Sequence, residues 1–160
     1  VSIGDDTYAY YRRLPHLQRE HKNYFVTFCT KNRRLLDLHS RDIVLCECVA
    51  QHGVACWLHC AVVMPDHAHV VMALLPEQSL PNVMRLIKGR SARAINMMRG
   101  RSGSLWQRES FDHILRREED LFKKMEYVAN NPVRAGLVAT PEEYRWLWFS
   151  GRPAEAGRYT

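Results

Sequence analysis

The chain has 160 residues, 46% of them hydrophobic and 25% charged, which is ordinary for a single soluble globular domain with its own core. Twenty-three Lys and Arg against 17 Asp and Glu give a net charge of +6, a sign that favours a polyanionic partner, nucleic acid before others. The five cysteines include no C-x-x-C pair, and no apolar run is long enough to span a bilayer, so a zinc ribbon, a disulfide framework and a membrane partner are all unexpected. With no apolar leader in "VSIGDDTYAYYRR", the expected setting is the reducing cytoplasm.

Residues 1–23 read as a basic N-terminal arm around Tyr10, Tyr11, Arg12 and Arg13. "YFVTFCT" (24–30), rich in aromatic and β-branched residues, predicts a strand, and "KNRRLLD" a basic connection. A helix is expected from about 41 to 52, capped by Ser40 and ended by Gly53. "VACWLHCAVVM" (54–64) and "HAHVVMALL" (67–75) read as two strands of a hairpin that turns at Pro65-Asp66. From Ser79 to about Met98 the period becomes helical, with Leu80, Val83, Met84, Ile87, Ala94, Ile95 and Met98 on one face and Arg85, Lys88, Arg93, Asn96 and Arg99 on the other. A linker, "GRSGS", precedes a fourth strand near 111–116. "REEDLFKKMEYVANN" is a third helix, which Pro132 is expected to stop. The tryptophans of "RAGLVATPEEYRWLWFS" pack a short appended segment, and 151–160 form a tail.

The order β-α-β-β-α-β-α predicts an α+β, ferredoxin-like (split βαβ) fold: an antiparallel sheet with helices on one face, the other face free for a ligand, and a third helix appended.

Three features carry chemistry. His67 and His69 stand two apart at the start of a strand, so both imidazoles project from one face. They are either the two-ligand half of an open metal site or a polar surface patch; two ligands are too few for a structural zinc. On the third helix Lys123, Tyr127 and Asn131 recur every fourth residue, away from the core face of Leu121, Phe122, Met125 and Val128. They are either a functional strip or a solvated face. The second helix carries no acid from Arg85 to Arg101, a one-sign stripe that leans towards phosphates, and Trp106 is a candidate for stacking on a base. Asp112 and His113 have no evident task.

"MPDHAHVVM" (64–72) resembles the M-P-[ND]-H-x-H hairpin of single-tyrosine HUH nucleases, the insertion-sequence type of transposase. "YVANNPVRAGLV" (127–138), with "KGRSARAIN" and "WQRESFDHILR", is similar to one branch, the REP-associated tyrosine transposases, and the likeness spans roughly 24–150. Ser91 departs from it, since an aromatic is common there. The resemblance implies a divalent metal, Mg2+ or Mn2+, on His67, His69 and Asn131, and Tyr127 as a nucleophile that forms a 5′-phosphotyrosine. It implies single-stranded DNA with an adjacent hairpin as partner, a place on the nucleoid, and action as a monomer or homodimer. Charge and resemblance together make Arg12, Arg13, Arg85, Lys88, Arg90, Arg93, Arg99, Trp106 and Lys123 the expected DNA contacts. The alternatives are an RRM-like module that only binds single strands, or a domesticated transposase that only binds DNA.

Overall fold

The structure, a computed structural model, describes residues 22–151. Arg12 and Arg13 lie outside the described residues. Five strands form one sheet: β1 (Asn23–Cys29), β2 (Cys56–Val63), β3 (His67–Leu74), β4 (Phe111–Leu115) and β5 (Leu147–Phe149). The main helices are α1 (Leu38–Ala50), α2 (Leu80–Arg99) and α3 (Glu118–Arg134). The order β4-β1-β3-β2-β5 with antiparallel pairing throughout is the expected ferredoxin-like arrangement extended by β5. The last strand came from a segment read only as packed tryptophans; Trp146 is indeed buried, and the Tyr144 hydroxyl donates to the Val63 carbonyl at 2.6 Å.

Alternation along β1 decides which layer each residue serves. Phe28 points to the α1/α2 side, where its ring meets Trp106 at 4.8 Å and the Trp106 indole N–H donates to Ser91 of α2 at 3.0 Å. Phe25 points the other way, to Tyr127 on α3, 5.9 Å between ring centroids. The face expected to be free for a ligand is therefore partly covered by α3. Leu121, Met125, Val128 and Ala129 recur at helical spacing and are buried against the sheet. Each fully buried large side chain in that stripe contributes roughly 1.5–3 kcal/mol.

Two helix boundaries differ from expectation. Asp37, not Ser40, caps α1: its carboxylate accepts the Ser40 backbone N–H at 2.8 Å, so the helix begins at Leu38. Pro132 lies inside α3 rather than ending it. Only Val133 and Arg134 follow it in the helix, so the turn that lacks its N–H is the last one. The Pro132 carbonyl then accepts from Leu137 N at 2.9 Å, after Gly136 takes the left-handed conformation (φ 74°) that reverses the chain.

His59 is fully buried, its Nε2 2.6 Å from the Asn23 Oδ1, and burial together with neighbouring His52 pushes its imidazole down to about 3. The unfolded chain protonates His59 near pH 6.5 and the folded chain does not, so this stability is complete above pH 6.5 and is lost as the pH falls towards 3. Urea unfolding of the wild type at pH 5 and pH 7 is expected to show a loss about 2 kcal/mol larger than in His59→Gln, one proton's linkage over ~1.5 pH units. Equal losses in the two proteins would show that His59 is protonated in the fold.

Candidate active site

The β2–β3 turn is held from two sides. Thr30 N donates to the Asp66 carbonyl at 2.9 Å, Leu36 N to the Pro65 carbonyl at 2.6 Å, and Met64 N to the His67 carbonyl at 2.8 Å. This fixes where β3 begins and so where His67 stands. Cys29 of β1 lies opposite His67, and Thr27 opposite His69, all on the face that α3 covers.

Each histidine is tied through Nδ1. The His67 Nδ1–H donates to the Asp66 carboxylate at 2.7 Å. The Asp66 carboxyl is pushed up by burial, but the hydrogen bond from His67 and the charge of Arg33 outweigh this and hold it below the usual carboxylate range. His69 Nδ1 lies 2.7 Å from Thr27 Oγ1. Burial first, then the charges of His67, Lys124 and Arg134, push the His69 imidazole down to about 3. His69 is therefore neutral at physiological pH, and in the tautomer whose Nδ1–H donates to Thr27 its Nε2 is left to accept. The two rings stand 4.8 Å apart at 75°. Two imidazoles anchored through Nδ1, with both Nε2 atoms left over, suit a metal ion: an outer partner on the far nitrogen is what orients a ligating histidine.

Tyr127 packs edge-on against His69, 5.8 Å between centroids, so one chain brings both halves of the site together. Two cations flank its ring: the Arg134 guanidinium 4.2 Å from the centroid and the Lys124 ammonium at 5.2 Å. Arg134 also donates to the Tyr127 carbonyl at 3.1 Å. Lys123, expected on this strip, is exposed, and among the described residues Lys124 and Arg134 are the cations set over the phenol. Asn131 is half-buried one turn beyond Tyr127. It lies a full turn before Ala135, the C-cap residue of α3. Among the described residues no cluster of three or more His, Cys, Asp or Glu is gathered.

Sequence reasoning missed Thr27, Asp66, Arg33, Lys124 and Arg134. Along the sequence Asp66 marks only a turn, and Arg33 only a basic connection. Asn32 and Arg33 both adopt left-handed backbone (φ 58° and 53°), which costs about 1–2 kcal/mol per non-glycine residue. That kink turns Arg33 back onto Asp66 at 2.9 Å and onto the Cys29 thiol at 2.8 Å. Lys124 and Arg134 lie at i−3 and i+7 from Tyr127, near its helix face, a spacing that admits them without selecting them over Lys123 at i−4.

The expected DNA contacts of α2 are placed elsewhere. Trp106 is a correction: its ring is 6% exposed and its N–H is used by Ser91, so it is a core residue and no stacking platform. Lys88 is another, because its ammonium donates to the carbonyls of Gln107 (2.8 Å) and Arg108 (3.3 Å) and to the Ser110 hydroxyl (3.1 Å), and burial pushes its pKa down. The stripe is not one-signed in space, since α1 supplies Glu47 to Arg90 at 2.8 Å and the cap residue Asp37 to Arg99. Arg85 and Arg93 are exposed. All of these sit on the layer opposite Tyr127.

A ferredoxin-like sheet carrying a paired-histidine strand and an adjacent helix tyrosine is the arrangement that the resemblance to single-tyrosine transposases implies. Residues 18–131 match the family described as "Transposase IS200 like", and the chain belongs to that family. A Haemophilus influenzae protein named "Putative REP-associated tyrosine transposase" is 28% identical over 98 residues, 54% of this chain and 55% of that protein, so the match spans about half of the relative's length. A second Haemophilus influenzae protein, without an assigned activity, is 26% identical over 156 residues, covering 76% of this chain and 86% of its own length. The fold is that of a solved REP-associated tyrosine transposase bound to a REP hairpin, with a TM-score of 0.66 at 19% identity over 79% of this chain and 75% of that one. No described helix is long and apolar enough to cross a membrane.

The burial of His69 makes a direct forecast. Nitrogen-15 NMR of the imidazoles is expected to show His69 neutral throughout pH 5–8. A His69 titration midpoint near the ordinary ~6.5 would contradict the packing described.

Proposed function

We propose that the protein cleaves and rejoins single-stranded DNA through a covalent 5′-phosphotyrosine formed on Tyr127, in the presence of Mg2+ or Mn2+, on single strands next to a hairpin of the REP type. The observation that carries this reading is the contact between Tyr127 and His69 within one chain, with His67 beside them. Because one chain supplies both halves, the reading takes a monomer as sufficient. Its setting is the cytoplasm, at the nucleoid. Its DNA-bound structural relative and its family membership support the substrate class.

His67 and His69 through Nε2, with the Asn131 amide oxygen, would hold the ion. When bound there it would neutralise a scissile phosphate and fix its orientation. Asp66 and Thr27 keep the two rings turned to that task. Arg134 and Lys124 bring positive charge to the phenol, where a phosphate and a developing phenolate both need it. The Tyr127 oxygen attacks phosphorus, the bond from phosphorus to the 3′ oxygen breaks, and the phenolic proton leaves for solvent as the 3′ oxygen takes one up. One phosphodiester replaces another, so a returning 3′-hydroxyl can reverse the step without ATP. A sheet-face binder of the RRM type is disfavoured, because α3 occupies much of the face it would use.

Four variants test this. Tyr127→Phe is expected to retain fold and DNA binding and to give no covalent adduct on a denaturing gel; an adduct at the wild-type level would end the nucleophile assignment. Asp66→Asn and Thr27→Val are expected to weaken Mn2+ binding in calorimetric titration by about 10–100-fold, the usual effect of losing a partner behind a metal-binding histidine. Unchanged Mn2+ affinity in both would remove the metal role of the pair. Asn131→Ala is expected to slow adduct formation with partial recovery at excess Mn2+, and a Mn2+ dependence identical to the wild type would exclude it as a ligand.

A further inference from the structure

We infer that Phe111 is a shelf on which an unpaired DNA base stacks beside the active site, an inference that rests on the proposed action on single strands. The β-register carries the argument. Phe111 on β4 lies opposite Thr27 on β1, and Thr27 lies opposite His69 on β3. Residues directly paired across antiparallel strands share a face. Phe111, Thr27 and His69 thus form one row across three strands, and the bond from Thr27 to His69 fixes the face as that of the site. Two strand spacings, about 10 Å, separate Phe111 from His69.

The neighbouring row is His113, Phe25 and Val71. There Phe25 is only 4% exposed, closed over by Tyr127 and by the Lys124 ammonium at 4.6 Å. Phe111 is 64% exposed, and His113 beside it is exposed too. α3 therefore covers the sheet up to Tyr127 and leaves the corner at Phe111 open. A lone exposed aromatic is commonplace; this one is aligned with the histidine pair.

Charge selects the occupant. The turn after β1, at the end of the sheet where Cys29 faces His67, carries exposed Lys31, Arg33 and Arg34. Lys124 and Arg134 border the other side at Tyr127. An apolar ring bounded by cations fits a chain that alternates flat bases with phosphates. Stacking on a side-chain ring accepts any base, so the shelf holds the strand without reading its sequence.

The test uses a short, mixed-sequence, fluorescein-labelled single-stranded oligonucleotide in buffer free of divalent ions, so that binding is read without cleavage. Phe111→Leu keeps the apolar bulk and removes the ring face; its Kd is expected to rise about five- to hundred-fold, the usual range for losing one stacked base. The dependence of Kd on salt should stay that of the wild type, because no charge is removed. Phe111→Tyr should bind as the wild type does, and in Phe111→Trp the oligonucleotide should quench emission beyond any quenching of the wild type. Wild-type affinity in Phe111→Leu, absence of the extra quenching in Phe111→Trp, or no binding by the wild type would each overturn the shelf. Adduct formation by the wild type, measured separately with Mn2+, distinguishes the two ideas. An adduct with Phe111-independent binding sinks the shelf alone. Phe111-dependent binding with no adduct sinks the nicking reading and leaves the shelf.

Discussion

Burial of one stripe of α3 against the sheet is the constraint on which the site depends. Leu121, Met125, Val128 and Ala129 cannot leave water except by lying on the face that carries Phe25, Val71 and His69. Once they do, the helical period leaves Tyr127 at the margin of the contact, 39% exposed, with its ring against His69. Tyr127 is thus positioned by apolar packing. This explains how a partly exposed phenol is held in one place: its neighbours on the helix are fixed, and Arg134 clamps it from the C-terminal side.

The same seating sets the electrostatics. A buried imidazole is costly to protonate, and the cations Lys124 and Arg134 raise that cost for His69. The arrangement keeps a basic nitrogen available while surrounding it with positive charge, which is also what a phosphodiester needs. Asp66 is the only acid bonded to the histidine pair among the described residues, and it is itself paired with Arg33. Arg33 reaches it only because the chain accepts two successive left-handed residues, so backbone strain after β1 supports the orientation of a side chain on β3.

The sheet also separates two kinds of basic residue. The arginines of α2 are partly neutralised by α1 through Glu47 and Asp37, and Lys88 is a strut that ties α2 to the segment leading into β4. Of the charge that reads as a phosphate grip along the sequence, Lys88, Arg90 and Arg99 are engaged within the fold, while Arg85 and Arg93 stay exposed. Charge at the site comes from the turn after β1 and from Lys124 and Arg134 of α3, in groups too small to stand out in composition.

By itself the sequence determined the order of elements from β1 to α3, the hairpin turn at Pro65-Asp66, the pairing of His67 with His69 on one face and the exclusion of Tyr127 from the core stripe; the strand nature of β5 it did not show. These follow from periods of two and 3.6 residues and from proline and glycine stereochemistry, all of which are local. It misplaced the cap of α1 and the end of α3 because Asp37 and Pro132 each satisfy or forgo a single hydrogen bond, a choice that flanking contacts decide. Tertiary structure alone decided that α3 lies over the sheet face, that Trp106 is core, that Lys124 and Arg134 rather than Lys123 meet the phenol, and that Thr27 holds His69 across 42 residues of chain. Each of these depends on which strand lies beside which, and β1 is paired with β3 and β4, segments remote from it in sequence. Register across such distances is set by burying the whole core at once, and no local period encodes it.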